Sequence, residues 1–259
     1  MNQTIPVVIL CGGMGTRLAE QTEVYPKPMV DIGGRPILWH IMKHYCRYGF
    51  DDFTLALGWK GEQIKRYFLD FCALAQDFSV ALADGQVQKL NDNQVEPWHV
   101  NLVDTGQKTL TGGSLKQLAP LVDKGTFMMT YGDGVGNVDL NELLAFHRTH
   151  GGLVTMTAVR PPARFGAVEF EGNRVLHFKE KSTLHESWIN GGFFVIEPAA
   201  LDYIHGDVMW EHAPMELLAE HGNLFAYRHP GFWQCMDTLR DLRYLESLWE
   251  SGKPPWKTW

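Results

Sequence analysis

The chain is short of cysteine, of net positive charge and of any long hydrophobic run, and each shortage removes a class of protein. Its 259 residues hold four cysteines, Cys11, Cys46, Cys72 and Cys235. They are scattered with no CxxC pair, so neither a zinc site nor a disulfide framework is indicated. Cys11 and Cys235 are expected in the core or in the walls of a site. A formal net charge of −7 argues against a nucleic-acid partner, which calls for a basic stripe, so any cations that hold phosphate are local. No stretch approaches the ~18 apolar residues of a membrane span, and no charged leader precedes a run of signal length. The expected location is therefore the cytoplasm, with no membrane partner. Linkers, charge blocks, internal repeats and low-complexity tracts are also missing. With 45% hydrophobic and 20% charged residues, the chain fits one large α/β domain better than two small ones.

What the chain does have is concentrated in VVILCGGMGTRLAEQTEVYPKP, from Val7 to Pro28. Val7 to Cys11 reads as a buried parallel strand, β-branched and closed by glycines. Gly12, Gly13 and Gly15 then let the backbone approach phosphate oxygens or a flat base edge without Cβ obstruction. Arg17 supplies a planar fork and Lys27 a point charge, which together describe a polyphosphate seat. The loop is neither the dinucleotide fingerprint nor the Walker A sequence. Read alone, GGMGTR also fits a tight turn with a solvated Arg17. Pro26 and Pro28 around Lys27 favour a fixed cation instead.

Along the chain, helical and strand-like segments alternate. Pro36 opens a helix with Ile37, Leu38, Ile41, Met42 and Tyr45 on one face, and Phe53 to Leu57 is the second strand. A helix buries Ile64, Tyr67, Phe68 and Phe71, and Phe78 to Ala83 is a third strand. Residues 84–99 read as a loop with room for a short hairpin, and Val100 to Val103 resumes the sheet. Leu115, Leu118 and Leu121 mark a helix after Thr111, Gly112 and Gly113. Thr126 to Tyr131 is a central strand ending in Gly132, Asp133 and Gly134. Further on come a helix through Leu140 and His147, a strand at Leu153 to Val159 and a hairpin over Gly166 to Phe178. Strands at Gly191 to Ile196, Leu224 to Arg228 and Trp233 to Asp237 follow, with a last helix from Leu239. This order predicts a mostly parallel sheet with helices on both faces.

Ligands collect beyond the carboxyl ends of strands in such sheets, which draws attention to Asp133 in GDG and Asp237 in WQCMDT. Two carboxylates at strand ends suit one Mg²⁺, with substrate phosphates and water completing the octahedron. The alternative is that either aspartate caps the next helix. Together with the glycine loop and two cations, the pair favours metal-assisted phosphoryl or nucleotidyl transfer. His40 with His44, and His147 with His150, stand at helical spacings that suit metal pairs, but no third ligand is evident, which favours core or solvated histidines. Trp188 and Trp233 fit a sugar pocket or the core equally well. Trp249, Trp256 and Trp259 suit docking or an oligomer contact.

The order GGMGTR, a lysine between prolines, GDG, RFGAV, FKEK, NGGFF and WQCMDT resembles the sugar nucleotidyltransferases. VEPW, LVDTG and the C-terminal HPGFWQCMDTLRDL and LWESGKPPWKTW resemble their cytidylyl branch, and the likeness covers essentially the whole chain. It implies a single Rossmann-like domain over 1–259, of the nucleotide-diphospho-sugar transferase kind. A nucleotide-binding part is expected at about 1–135, a small β-rich sugar-phosphate part at about 136–240, and a C-terminal helix and tail at about 238–259. The implied reaction is CTP plus α-D-glucose 1-phosphate giving CDP-glucose and pyrophosphate, with Mg²⁺, in a homo-oligomer. By the same likeness Leu10, Gly12, Gly13, Gly15, Thr16, Arg17, Lys27, Thr111 and Gly112 bind the nucleotide. Arg17 grips the leaving pyrophosphate and Lys27 the α-phosphate, as the catalytic pair. Gly166, Glu180, Lys181 and Asn190 receive the sugar and its phosphate, and Asp133 and Asp237 hold the metal.

Two positions depart from the family pattern. Ser114 stands where a basic residue commonly follows TGG, and Ser182 where a proline follows Glu-Lys; both bear on the bound sugar nucleotide rather than on the reaction class. Another nucleotide or acceptor, or a non-catalytic nucleotide-sugar sensor, also fits the scaffold. Arg17, Lys27, Asp133 and Asp237 together weigh against the sensor, which needs no pair of metal carboxylates.

Overall fold

Strand β1 (Val7–Cys11) is buried along its whole length, as an apolar run without polar alternation must be when both faces are covered. The computed structural model describes residues 5–13, 25–91, 95–161, 167–179 and 187–259. In its eight-stranded sheet, β4 (Asp52–Leu57) and β8 (Phe127–Tyr131) flank β1 in parallel, and β7 (His99–Asp104) lies parallel beyond β4. On the other side of β8 comes β14 (Phe194–Ile196), antiparallel, and then β10 (Val154–Val159). β10 also pairs with β13 (Ile189–Asn190), antiparallel, and with β15 (Leu224–His229), parallel. The sheet is mostly parallel, in agreement with the order of elements in the sequence.

Successive residues of β1 point to opposite faces, and the core divides accordingly. Val7, Ile9 and Cys11 share one apolar cluster with α1 (Ile37–Arg47), α2 (Gly61–Leu74), α5 (Leu140–His150) and α7 (Leu239–Glu250). Val8 and Leu10 share the other with α3 (Thr111–Gln117), α4 (Ala119–Val122) and α6 (Ala213–Glu220). Two-stranded pieces complete the fold: β2 (Asp31–Ile32) with β3 (Arg35–Pro36), β9 (Gly134–Gly136) with β16 (Trp233–Cys235), and β11 (Ala167–Glu171) with β12 (Arg174–Lys179).

Three elements differ from expectation. Phe78 to Ala83 does not join the sheet: β5 (Phe78–Ala81) pairs only with β6 (Gln86–Lys89), in a hairpin whose strand residues are all exposed. Asp84-Gly85 in its turn, with Gly85 at φ +73°, folds the chain back on itself. The helix expected through Leu121 is split into α3 and α4, because Pro120 has no N–H to continue the ladder, and Leu121 is exposed. Residues 191–193 leave the strand expected from Gly191 to Ile196, with Gly192 at φ +74° and Phe193 at φ +49°. Two of their carbonyls are held by side chains, Gly191 O by Trp233 Nε1 at 2.8 Å and Phe193 O by Thr157 Oγ1 at 2.8 Å, and Gly192 O takes the Thr157 N–H at 3.3 Å.

The C-terminal aromatics dock on the chain itself. Trp256 is fully buried and stacks on Phe232 and Trp249, and its Nε1 donates to His40 Nδ1 at 3.4 Å. One turn along α1, Thr258 Oγ1 donates to His44 Nδ1 at 3.1 Å. Each ring donates from Nε2 to a carbonyl 2.9 Å away, Ile32 O and Val138 O respectively. These are core histidines with both nitrogens engaged. His147 and His150 likewise share Thr155 Oγ1, at 2.9 and 2.7 Å. Among the described residues no helix is long and apolar enough to cross a membrane.

Candidate active site

The carboxyl ends of β1, β4 and β7 meet in glycine. A Cβ on Gly58 would stand 3.0 Å from Gly12 Cα and 3.4 Å from Gly106 O, so the loops after β1 and β4 touch only because neither bears a side chain there. Gly132, directly after β8, donates its N–H to Leu10 O at 3.0 Å. A Cβ on it would meet Pro28 Cγ at 3.0 Å. Its bareness thus lets the 3₁₀ turn Lys27–Met29 sit against the end of the central strand.

That seat brings Lys27 onto two carboxylates. Its Nζ donates to Asp133 Oδ2 at 2.6 Å and to Asp237 Oδ1 at 2.5 Å. Asp133 follows Gly132, two residues past the end of β8. Asp237 arrives because β16 pairs with β9, Cys235 opposite Gly134, and Met236 N donates to Asp133 O at 2.8 Å. The lysine side chain is 14% exposed and the carboxylates 32% and 29%, so the trio is recessed but open to a ligand. Burial alone would lower the Lys27 pKa; the Asp133 charge and the hydrogen bonds that Lys27 donates to both carboxylates overcome that and hold it above the ordinary value. The ammonium is thus a permanent cation at the meeting point.

Neither aspartate caps a helix. Thr238 caps α7 in a capping box with Asp241, Thr238 Oγ1 accepting from Asp241 N at 3.2 Å and Asp241 Oδ2 from Thr238 N at 2.9 Å. Asp139 caps α5. Two cysteines flank the trio without nucleophilic character. Burial, then the Asp133 charge, pushes the Cys11 thiol up. Burial and the Asp237 and Asp133 charges push Cys235 up to about 12, so it stays a thiol and donates from Sγ to Asp237 Oδ2 at 3.6 Å.

A second polar chain crosses the same edge of the sheet. Thr111 Oγ1 donates to Glu211 Oε2 at 2.6 Å, Tyr131 OH donates to Glu211 Oε1 at 2.5 Å, and Asn190 Nδ2 donates to Tyr131 OH at 3.3 Å. It connects the start of α3, the end of β8 and β13, all half-buried. Tyr131 stands immediately before Gly132-Asp133, so the chain abuts the charged trio.

Lys27, Asp133 and Asp237 thus form one cluster, and Thr111 and Asn190 are joined through Tyr131 and Glu211. Gly112 lies beside Thr111, its N–H bonded to Val208 O at 2.9 Å. Leu10, at the end of β1, accepts the Gly132 N–H beside Asp133, and Gly12 and Gly13 follow it against Gly58. Gly15, Thr16, Arg17, Gly166, Glu180 and Lys181 lie outside the described residues, as does Ser182. Ser114 is buried, its Oγ accepting from Thr105 Oγ1 at 3.0 Å, so no larger side chain is called for there. Trp233 bonds Gly191, and Trp188 lies under the Arg160 guanidinium, 4.7 Å from its ring centroid. Sequence reasoning missed Tyr131 and Glu211: the first was legible from its place before GDG, whereas nothing local marks the second.

The nucleotidyl transferase family model matches residues 6–229. A protein of Salmonella typhi named glucose-1-phosphate cytidylyltransferase is 50% identical over 254 residues, 97% of this chain and 98% of its own length. One of the same name from Salmonella typhimurium matches at the same identity and coverage. The solved structure of HddC from Yersinia pseudotuberculosis superposes with a TM-score of 0.67 at 22% identity, covering 95% of this chain and 99% of that one, and so shares the fold.

Proposed function

Since this chain belongs to the nucleotidyl transferase family, we propose that it transfers the cytidylyl group of CTP to α-D-glucose 1-phosphate, giving CDP-glucose and pyrophosphate. The observation that carries the chemistry is Lys27 held between Asp133 and Asp237 at the carboxyl ends of the central strands. The base and the sugar follow from the relatives at 50% identity.

A phosphate oxygen of the sugar phosphate attacks the α-phosphorus of CTP in line with the departing pyrophosphate, so no enzyme nucleophile is needed, in keeping with two protonated cysteines. Catalysis is then positioning and charge neutralisation. Lys27 is the donor to the α-phosphate, its direction fixed by Pro26, Pro28 and the two carboxylates. Gly12 and Gly13 give the nucleotide close access to the backbone, and the roles proposed for Gly15, Thr16 and Arg17 are to bind the nucleotide, Arg17 gripping the leaving pyrophosphate. Thr111 and Gly112 border the nucleotide, and Asn190 receives the acceptor together with Gly166, Glu180 and Lys181. The nucleotide-binding part spans about 1–135, the acceptor part about 136–240 and the C-terminal helix and tail about 238–259.

The carboxylate pair fits Mg²⁺: both are hard oxygen donors, and they already converge on one cation, the Lys27 ammonium. Among the described residues no group of three or more His, Cys, Asp or Glu gathers to hold a metal, so an ion held by Asp133 and Asp237 would need its other ligands from substrate and water. When bound, it neutralises phosphate charge. The expected setting is the cytoplasm, where CTP and sugar phosphates are at hand.

A single in-line displacement inverts configuration at phosphorus. With a CTP analogue carrying one sulfur on the α-phosphorus, we expect CDP-glucose of inverted configuration, read by ³¹P NMR. Retention would reveal a covalent nucleotidyl-enzyme and overturn this mechanism.

We also assign a homo-oligomer. Leu82, Val87 and Leu90 around the β5–β6 hairpin are 92%, 63% and 64% exposed, and a two-stranded hairpin bare on both faces is marginal without cover. Pairing with a second copy supplies that cover. Leu82→Lys combined with Val87→Lys is expected to lower the mass seen by light scattering toward that of one chain; an unchanged mass would remove the hairpin from the interface.

A further inference from the structure

The mechanism above gives no task to Glu211, although both of its carboxylate oxygens are engaged in the cleft. We propose that Glu211 is a positioning residue that sets the direction of the Thr111–Glu211–Tyr131–Asn190 chain, so that Asn190 presents an N–H rather than a carbonyl oxygen to the sugar phosphate. The inference rests on the acceptor role proposed for Asn190.

A carboxylate can only accept, so the hydroxyl hydrogens of Thr111 and Tyr131 both point at Glu211. Tyr131 has then used its one hydrogen, and its oxygen can only accept. The Asn190 amide must therefore turn its nitrogen to Tyr131, and its oxygen takes the Gly192 N–H at 2.9 Å. The polarities at Thr111 and Tyr131 follow from the Glu211 carboxylate, and the Gly192 N–H holds the Asn190 amide in the matching orientation. One Nδ2 hydrogen of Asn190 is left for an anionic acceptor.

Glu211 is not needed merely to anchor its segment. That segment is already tied to the start of α3 by Leu110 N to Asp207 Oδ1, Gly112 N to Val208 O and Trp210 N to Thr111 Oγ1, each at 2.9 Å. A glutamine keeps the shape and changes the direction. Thr111 Oγ1 already accepts from Trp210 N, so its hydrogen still needs an acceptor and claims the glutamine oxygen. The glutamine NH₂ is left facing Tyr131, whose hydrogen swings to Asn190 and either meets the amide NH₂, donor against donor, or turns the amide over at the cost of its Gly192 N–H bond; both displace the N–H offered to the acceptor.

Glu211→Gln in the full-length enzyme is expected to raise the KM for glucose 1-phosphate about tenfold, the scale of one misdirected hydrogen bond to a charged ligand. The KM for CTP should stay within about twofold and the thermal midpoint should not move. Tyr131→Phe breaks the same chain and should raise the same KM, and adding Glu211→Gln to it should change nothing more. Equal shifts in both KM values, no shift, or additive effects in the double variant would overturn the inference. Should Glu211→Gln fail to fold, Tyr131→Phe alone decides, an unchanged KM for glucose 1-phosphate refuting it. A wild-type enzyme that releases no pyrophosphate from this substrate pair refutes the proposed function, and the inference falls with it. An active wild type with an unaltered Glu211→Gln variant refutes the inference alone.

Discussion

Lys27→Ala is expected to lower turnover by at least about 100-fold, or about 3 kcal/mol of transition-state stabilisation, the usual cost of one oriented donor to a developing charge. The size follows from how the residue is held. A lysine on an open surface would surrender much of its effect to solvent, whereas this one is 14% exposed, pinned between two prolines and bonded to two carboxylates. The KM for CTP should move less, because the nucleotide keeps its contacts with the glycine loop. Arginine should not substitute, since a planar fork cannot occupy the point where Asp133 and Asp237 converge. Loss of the ammonium also leaves those carboxylates facing each other, so the variant's thermal midpoint should fall in a chelator and recover with Mg²⁺. Near-normal turnover in steady-state assays would remove Lys27 from the mechanism.

Acid should unfold this protein early, and the histidines of α1 set the window. Burial pushes His40 and His44 down to about 4, while in the unfolded chain both titrate near 6.5. As pH falls below 6.5 the unfolded state takes up protons that the folded state refuses. Stability is therefore full above about pH 6.5, declines through the interval and levels off below about 4, with each histidine accounting for roughly 3 kcal/mol. The local reason is that each Nδ1 is an acceptor, for Trp256 Nε1 in one case and Thr258 Oγ1 in the other. A proton there sets donor against donor and releases the aromatic tail. Urea unfolding followed by tryptophan fluorescence between pH 7.5 and 4.5 should show a steadily falling midpoint; a flat profile would contradict the neutral assignment of both rings.

Glycine, proline and apolar runs made the central strands and the trio legible. β1, the GDG turn after β8 and the proline-flanked Lys27 are each announced by residues whose backbone preferences are strong and local. The same logic, carried further, marks Thr238 as the cap: Thr238 and Asp241 are spaced as a capping box, which frees Asp237. Asp84-Gly85 was the available sign that Phe78 to Ala81 folds into a hairpin. Other features had no local sign. The break at residues 191–193 depends on Trp233 and Thr157, and the Glu211 contacts join residues 80 and 100 positions apart in sequence. Side chains meeting at such distances are fixed by topology, which propensity and periodicity do not encode.

Pyrophosphate release with Mg²⁺, pairing CTP, UTP, dTTP and ATP in turn with sugar 1-phosphates that include glucose 1-phosphate, tests the central claim most directly. The geometry at Lys27, Asp133 and Asp237 together with the cytidylyltransferase relatives predicts strong release from CTP with glucose 1-phosphate and little from the other pairs. Strong release from another nucleotide or another sugar phosphate, or none from any pair while nucleotide still binds, would contradict it.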